Sequence, residues 1–336
     1  MENNQNHKKP SSELRFDLVS KDWVVIATGR ARKPETFKNN GRAKEEGSEK
    51  DCPFCHIENQ APPVYMYPND KKKWEVMVFP NKYPAFSEGN QLQERAVGPY
   101  QVMDGLGFHE VVLTRDHRQN MAHFTAEKVK HVIDAYQERY LELMNEKHIN
   151  YISIFHNNGK EAGASIAHPH SQIIAIPVTD PDLRRSLDGS RMFFENHGAC
   201  VHCAMLEWDL EEKSRIIYEN DKFVALTPFA SKVAFETRIY PKEHKAYFER
   251  IKEDEKIKLA EALQVALNKI CKGLVDPAYN FFIHTAPCDG KSYDHYHWHF
   301  EILPKTSVWA GFELGTGIQI STIEPEKAAE YLRQIN

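Results

Sequence analysis

The 336-residue sequence predicts an α+β fold in which one unit is used twice, and three observations carry that expectation. Short runs rich in Val, Ile and aromatic residues alternate with amphipathic helical stretches, and their order in the first half returns in the second. Each half also holds a Cys-x-x-Cys pair followed by two spaced His. With 41% hydrophobic, 11% aromatic and 27% charged residues, the composition is that of a soluble globular protein. A net charge of −5 without a long basic run argues against a nucleic-acid binder that works by neutralising phosphates, and leaves small anionic ligands open. No apolar run is long enough to span a membrane, and the opening MENNQNHKKPSS lacks the apolar centre of a signal peptide, so a cytoplasmic protein is expected.

Taken in order, residues 1–12 are polar and expected to form a disordered tail, and NNGRAKEEGSEKD at 39–51 reads as an exposed loop. The first unit, residues 13–178, contains strand-like runs at 23–27, 75–79, 109–114, 151–155 and 172–177, bounded by Gly, Pro or Asn. Between the third and fourth of these, residues 125–147 place Val129, Val132, Ile133, Tyr136, Tyr140 and Leu143 at intervals of three and four, the stripe of an amphipathic helix. Residues 179–194 read as a linker. The second unit, residues 195–336, repeats the pattern with strands at 222–227 and 235–240, a helix around 254–271, and strands at 279–284 and 297–304. The segment 90–107 has no counterpart there, and one insertion of about 20 residues explains why the Cys and His landmarks of the two halves are offset differently. An antiparallel sheet with flanking helices, made from two related units, is the expected architecture.

The Cys pairs point to metal. In a reducing compartment this spacing favours metal or redox chemistry over disulfides. Cys52 and Cys55 with His117 and His168, and Cys200 and Cys203 with His244 and His297, each form a four-ligand set with no open position, the pattern of a structural Zn²⁺ site. In the second half His284, His295 and His299 compete for the ligand role, whereas Cys271 and Cys288 lack a partner at ligand spacing and read as ordinary thiols.

The chemistry concentrates in His168-Pro169-His170-Ser171-Gln172. Alternate residues of a strand share a face, so an extended segment would align His168, His170 and Gln172. A metal-held His168 would pin the backbone from which His170 attacks an electrophile, and Gln172 would donate its amide to a charged oxygen at the reacting centre. Upstream, Gly159, Gly163 and Ser165 in HNNGKEAGAS allow backbone N–H groups to approach an anion. In the second half His299 stands in the place of His170, but Glu301 replaces Gln172 and would repel a phosphate, which assigns the nucleophile to the first half.

These residues resemble the histidine-triad superfamily, and within it the duplicated galactose-1-phosphate uridylyltransferase branch. The match is carried by CPFC at 52–55, NNGKEAGASIAHPHSQ at 157–172, PKEH at 241–244, HWHF at 297–300 and GFELGTGIQ at 311–319. The resemblance implies histidine-triad-like half-barrel units, a homodimer and a ping-pong reaction. In it His170 takes the uridylyl group of UDP-glucose, glucose 1-phosphate leaves, and galactose 1-phosphate accepts. By matching motif it further implies that Asn157, Gly159, Ser165 and Gln172 meet the phosphates, that Asn81 touches the nucleotide, that Glu313 and Gln319 read the hexose, and that Arg30 and Arg32 meet phosphates, across the dimer interface in the family. Enteric members bind iron at the second centre through a set that maps to Glu195, His284, His297 and His299. The match departs at Ser171, where the uridylyltransferases commonly have Gly, and the run LDGSRMFFENHGACVHC at 187–203 resembles instead the plant-type ADP-glucose phosphorylases. Those carry two Zn²⁺ sites and pass an adenylyl group to phosphate. The alternative classes are a zinc-stabilised nucleotide-binding module without activity, and a nucleotide hydrolase in which water takes the place of the acceptor.

Overall fold

A computed structural model of the chain describes residues 12–28, 33–40 and 47–336. In the first half the strands are β1 (Glu13–Phe16), β2 (Trp23–Ile26), β3 (Tyr65–Tyr67), β4 (Val76–Pro80), β5 (Glu94–Val97), β6 (Tyr100–Met103) and β7 (Phe108–Thr114), followed by helix α1 (Ala126–Leu143), β8 (Tyr151–Asn158) and β9 (His170–Ile176). Helices α2 (Pro181–His197) and α3 (Val201–Glu212) lead to β10 (Ile216–Glu219), β11 (Phe223–Leu226), β12 (Thr237–Pro241), helix α4 (Glu253–Leu274), β13 (Tyr279–His284) and β14 (His299–Pro304). The chain ends with α5 (Gly311–Thr316), β15 (Gln319–Ser321) and α6 (Pro325–Arg333).

The fold is α+β and built on one 10-stranded sheet ordered β10-β11-β12-β14-β13-β8-β9-β7-β4-β3. That order is a mirror: β13, β14, β12, β11 and β10 correspond to β8, β9, β7, β4 and β3. The pseudo-twofold axis passes through the β8–β13 pair, where Phe155 lies opposite Phe282. Every ladder in this sheet is antiparallel. One face is closed by α1 and α4, whose apolar stripes bury Tyr136, Tyr140, Leu263 and Leu267 against Ile154, Ile173, Phe281 and Phe300. The other face stays partly open along the middle strands, and this open face carries the polar residues of the motifs. Among the described residues no helix is long and apolar enough to cross a membrane.

Two expectations change. Most of residues 179–194, read as a linker, lie in α2 (Pro181–His197), because Asp180 caps the helix by accepting from the Asp182 and Leu183 N–H groups and Pro181 starts it at a position where a missing N–H costs nothing. Gly189 sits inside this helix because a Cβ there would lie 1.9 Å from the Val19 carbonyl oxygen; it is a close approach between helix and the β1–β2 turn, not a break. The inserted segment 90–107 contributes the exposed β5–β6 hairpin, paired from Glu94–Met103 to Val97–Tyr100. Residues 1–11 of the expected tail, and 41–46 of the expected loop, lie outside the described residues.

Candidate active site and metal centres

Both Cys/His sets assemble. The ligand atoms of Cys52, Cys55, His117 and His168 lie within 4.8 Å of one another, and so do those of Cys200, Cys203, His244 and His297. In the first set Cys55 Sγ is 3.2 Å from His117 Nδ1 and 3.6 Å from His168 Nδ1, and Cys52 Sγ is 3.7 Å from His168 Nδ1. In the second, Cys203 Sγ lies 3.3 Å from His244 Nδ1 and 3.5 Å from His297 Nδ1. A tetrahedral Zn²⁺ with ordinary Zn–S and Zn–N bonds requires a sulfur-to-nitrogen edge of about 3.6 Å, so the donors already stand at coordination spacing. The outer contacts agree. Each imidazole gives its Nε2–H to a backbone carbonyl: His117 to Gly47, His168 to Thr114, His244 to Asp294 and His297 to Pro241, at 2.7–3.0 Å. All four are thereby fixed in the tautomer that turns a bare Nδ1 toward the sulfurs. Burial and the neighbouring Cys52 push the Cys55 thiol up to about 11, and burial pushes His168 down to about 4. In the second set the hydrogen bond between the two sulfurs drives Cys203 up and Cys200 down.

The iron-type alternative for the second centre does not assemble. Glu195 is on the exposed side of α2, ion-paired with Arg191 at 3.0 Å, and His284 is bonded to Glu301 at 3.1 Å. His299 Nδ1 is 3.1 Å from the His297 carbonyl.

The first Cys/His set borders the strand that carries His170. His168 precedes β9, held at a bend, and the strand begins at His170, so the motif straddles a loop-to-strand junction instead of lying wholly in a strand. His170 donates from Nδ1 to the His168 carbonyl at 2.9 Å, which leaves Nε2 as the lone-pair nitrogen. The ring is buried, meeting Phe54 in a T-shaped contact at 5.0 Å between centroids, and burial lowers its pKa despite the carbonyl contact. A neutral imidazole with one committed and one free nitrogen is the protonation state a nucleophile needs.

Ser171, next along, points to the helix face. Its Oγ lies 2.5 Å from Tyr136 Oη on α1 and 3.0 Å from Nδ1 of buried His156 on β8, and His156 stacks on Phe281. Burial, reinforced by His170, pushes the His156 imidazole down to about 3. Gln172 returns to the open face, where its Oε1 is 2.7 Å from His109 Nε2 on β7. Asn81 joins this pair: its Nδ2 is 3.1 Å from the same His109 nitrogen and its Oδ1 accepts from the Tyr83 N–H. Asn157, at the end of β8, accepts from Asn280 Nδ2 at 2.7 Å, and Asn280 also donates to the Ala162 carbonyl. Gly159 and Gly163, at φ 91° and 89°, close the turn that follows β8, and Ser165 lies exposed on its far side.

The structure thus brings His170, Gln172, Asn81 and Asn157 onto neighbouring strand ends of one face, with Gly159 and Ser165 at their rim. It does not bring Glu313 and Gln319 there. Glu313 accepts from the Ala310 N–H at the start of α5, and Gln319 lies in the small β1-β2-β15 sheet, opposite Val24. Arg30 and Arg32 lie outside the described residues. Sequence reasoning missed His109, read as part of a core strand; its signal was the alternation His109, Val111, Leu113, which shares a face with Gln172 and His170 through the β7–β9 register.

In the second half the corresponding positions have other chemistry. By register, Arg238 stands where Val111 does, Glu236 where His109 does and Glu301 where Gln172 does. The Arg238 guanidinium contacts Glu236 at 2.9 Å, Glu301 at 3.0 Å and Asp17 at 3.7 Å. Burial raises the Glu236 carboxyl to about 8; burial also opposes ionisation of Glu301, but Arg238 and His284 outweigh it and hold Glu301 well below the usual range. Carboxylates stand here where the first half has an amide.

A sequence family described as galactose-1-phosphate uridyl transferase, N-terminal domain, matches residues 1–179, and a domain of unknown function matches residues 103–334. ADP-glucose phosphorylase of Arabidopsis thaliana is 34% identical over 333 residues, covering 97% of this chain and 93% of that protein. The galactose-1-phosphate uridylyltransferase of Thermotoga maritima is 28% identical over 333 residues, with 96% and 98% covered. A crystal structure of the Arabidopsis ADP-glucose phosphorylase with bound ADP-glucose superposes with a TM-score of 0.81 at 31% identity, covering 97% of this chain and 100% of that one.

Proposed function

The chain belongs to the galactose-1-phosphate uridyl transferase family of nucleotidyltransferases, and from that premise we propose that it moves an adenylyl group from ADP-glucose to inorganic phosphate through a covalent intermediate on His170. The observation that carries the covalent step is the preset imidazole of His170, neutral, tied at Nδ1 and bare at Nε2. Nε2 attacks the α-phosphorus, the bond to the departing glucose 1-phosphate oxygen breaks, and a phosphate oxygen then displaces the histidine to give ADP. Gln172 steadies the charge that builds on the phosphoryl oxygens.

The choice of donor and acceptor departs from the first expectation of the sequence, UDP-glucose and galactose 1-phosphate. The 34% identical relative supports the adenylyl reading over the 28% identical uridylyltransferase, and so does a second centre of two Cys and two His. We further infer Zn²⁺ at both centres, where the eight Cys and His ligands named above would hold it and it would tie each Cys-bearing segment to the sheet as a structural ion. A homodimer in the cytoplasm completes the reading.

The test is the intact mass of the protein after brief incubation with ADP-glucose or UDP-glucose without acceptor, with His170→Asn alongside. An adenylyl adduct on the wild type only, cleared by phosphate as ADP, is the expected result. A uridylyl adduct alone, cleared by galactose 1-phosphate, moves the protein to the hexose-1-phosphate reaction. No adduct from either donor removes the covalent mechanism.

A further inference from the structure

We propose that His109 is a positioning residue for nucleotidyl transfer, holding the side chain of Gln172 so that its NH₂ group faces the phosphorus attacked by His170; the proposal rests on His170 being the nucleophile.

The argument starts at the backbone. The Ala85 N–H can only donate, and it lies 3.1 Å from His109 Nδ1, so Nδ1 accepts and the ring proton resides on Nε2. Nε2–H therefore donates to the atom 2.7 Å away, Gln172 Oε1. A glutamine amide has one accepting and one donating end, and pinning the oxygen to His109 leaves the nitrogen turned away from β7. Among the described residues His109 is the hydrogen-bonding partner of this side chain. Left unpinned, the amide could swing its oxygen toward the phosphate, and a lone pair would then face developing negative charge.

Asn81 Nδ2 lies 3.1 Å from the same Nε2; with the proton on Nε2 this is a contact between two donors and not a hydrogen bond, so it adds nothing to the hold on His109 and leaves the Asn81 NH₂ for another acceptor. His109 thus joins the loop after β4, through Ala85 N and through the Asn81 N–H that bonds to the His109 carbonyl, to the strand of the nucleophile. The second half supplies an internal contrast. Where Glu301 takes the place of Gln172, the place of His109 is taken by Glu236, and the two carboxylates clamp Arg238. The pair is replaced as a pair, as expected if one residue serves the other.

The experiment is a double-mutant cycle read by single-turnover adduct formation, using quenched intact mass on full-length wild type, His109→Leu, Gln172→Ala and the double variant, each checked for melting temperature and zinc content. His109→Leu is expected to lower the rate at saturating donor by about 10–100-fold, the usual effect of losing a supporting contact, with the half-saturating donor concentration little changed. In the Gln172→Ala background the same change is expected to cost almost nothing further. An equal loss in both backgrounds, or a loss seen only in half-saturation, overturns the proposal. Should His109→Leu melt below the assay temperature, His109→Gln is read in the same cycle. A wild type that forms no adduct removes the reading of His170 and this inference with it; a normal wild type with an additive cycle removes the inference alone.

Discussion

Replacing Arg238 by Met tests how the second half is held together where Glu236 and Glu301 stand at the places of His109 and Gln172. The guanidinium is buried and touches Glu236 at 2.9 Å and Glu301 at 3.0 Å, with Asp17 at 3.7 Å. At an effective dielectric near 20, the contact with ionised Glu301 is worth about 5 kcal/mol of gross attraction, most of it offset by the desolvation of the charges. Met fills most of the volume, so the net cost is that of leaving buried carboxylates without their counter-ion, about 3–5 kcal/mol. For a chain of this length that corresponds to a fall in Tm of roughly 4–7 °C. The pH dependence has a definite sign. Glu236 already holds its proton up to about 8, and removing Arg238 raises the carboxylates further, so the folded variant binds more protons than the unfolded chain. The destabilisation should therefore shrink as pH falls toward the ordinary carboxyl range and grow as pH rises through 8. Differential scanning calorimetry from pH 5 to 9, on Arg238→Met and on Arg238→Met with Glu301→Gln, checks both points. A loss below about 1 kcal/mol, or no recovery when Glu301 is neutralised, refutes the account of this cluster.

Three other outcomes follow from the geometry. Cys52→Ser removes one ligand of the first centre and should lower zinc content and Tm together; full metal by mass spectrometry with unchanged melting contradicts the assigned site. Because burial lowers the His170 pKa, the rate of adduct formation should stay level as pH falls through the ordinary imidazole range near 6.5 and decline only below it, and a profile already halved at pH 6.5 speaks against a preset neutral ring. Tyr136→Phe removes a fully buried hydroxyl bonded to Ser171 and should cost about 1–2 kcal/mol in urea unfolding, the His156 contact limiting the loss; a neutral result means that the contact is not a stabilising hydrogen bond.

Much of this was legible in the chain because it lives in local pattern. The Val- and Ile-rich runs at 75–79 and 109–114 fold as β4 and β7, and the stripe from Val129 to Leu143 folds as α1. Both Cys/His sets assemble from spacing alone, since the sheet brings the late His of each half beside its Cys pair. What was hidden depends on contacts between distant segments. Helix α2 was obscured by Pro181 and Gly189, two residues that usually break helices; one begins it and the other makes room for the Val19 carbonyl, which no local pattern reveals. His109 looked like the polar end of a core strand until register set it beside Gln172. The motif-based placement of Glu313 and Gln319 at the site finds no support in their local bonding within the chain.

The pairing of β8 with β13 also constrains how the molecule is made. Neighbouring strands such as β8 and β9, or β13 and β14, are close in the chain and can zip early, whereas the ladder between the halves must close a loop that contains α2, α3 and most of the second unit. Loop-closure entropy grows with the length spanned, so each half should collapse on its own stretch before the central ladder forms, and joining them becomes the late step of folding. The small sheet adds a second long-range seam, because β15 near the C-terminus lies parallel to β2 near the N-terminus. A chain cut at the Gly198 turn between α2 and α3 is therefore expected to behave as two fragments with complementary open edges, recombining through the Phe155–Phe282 ladder into one sheet.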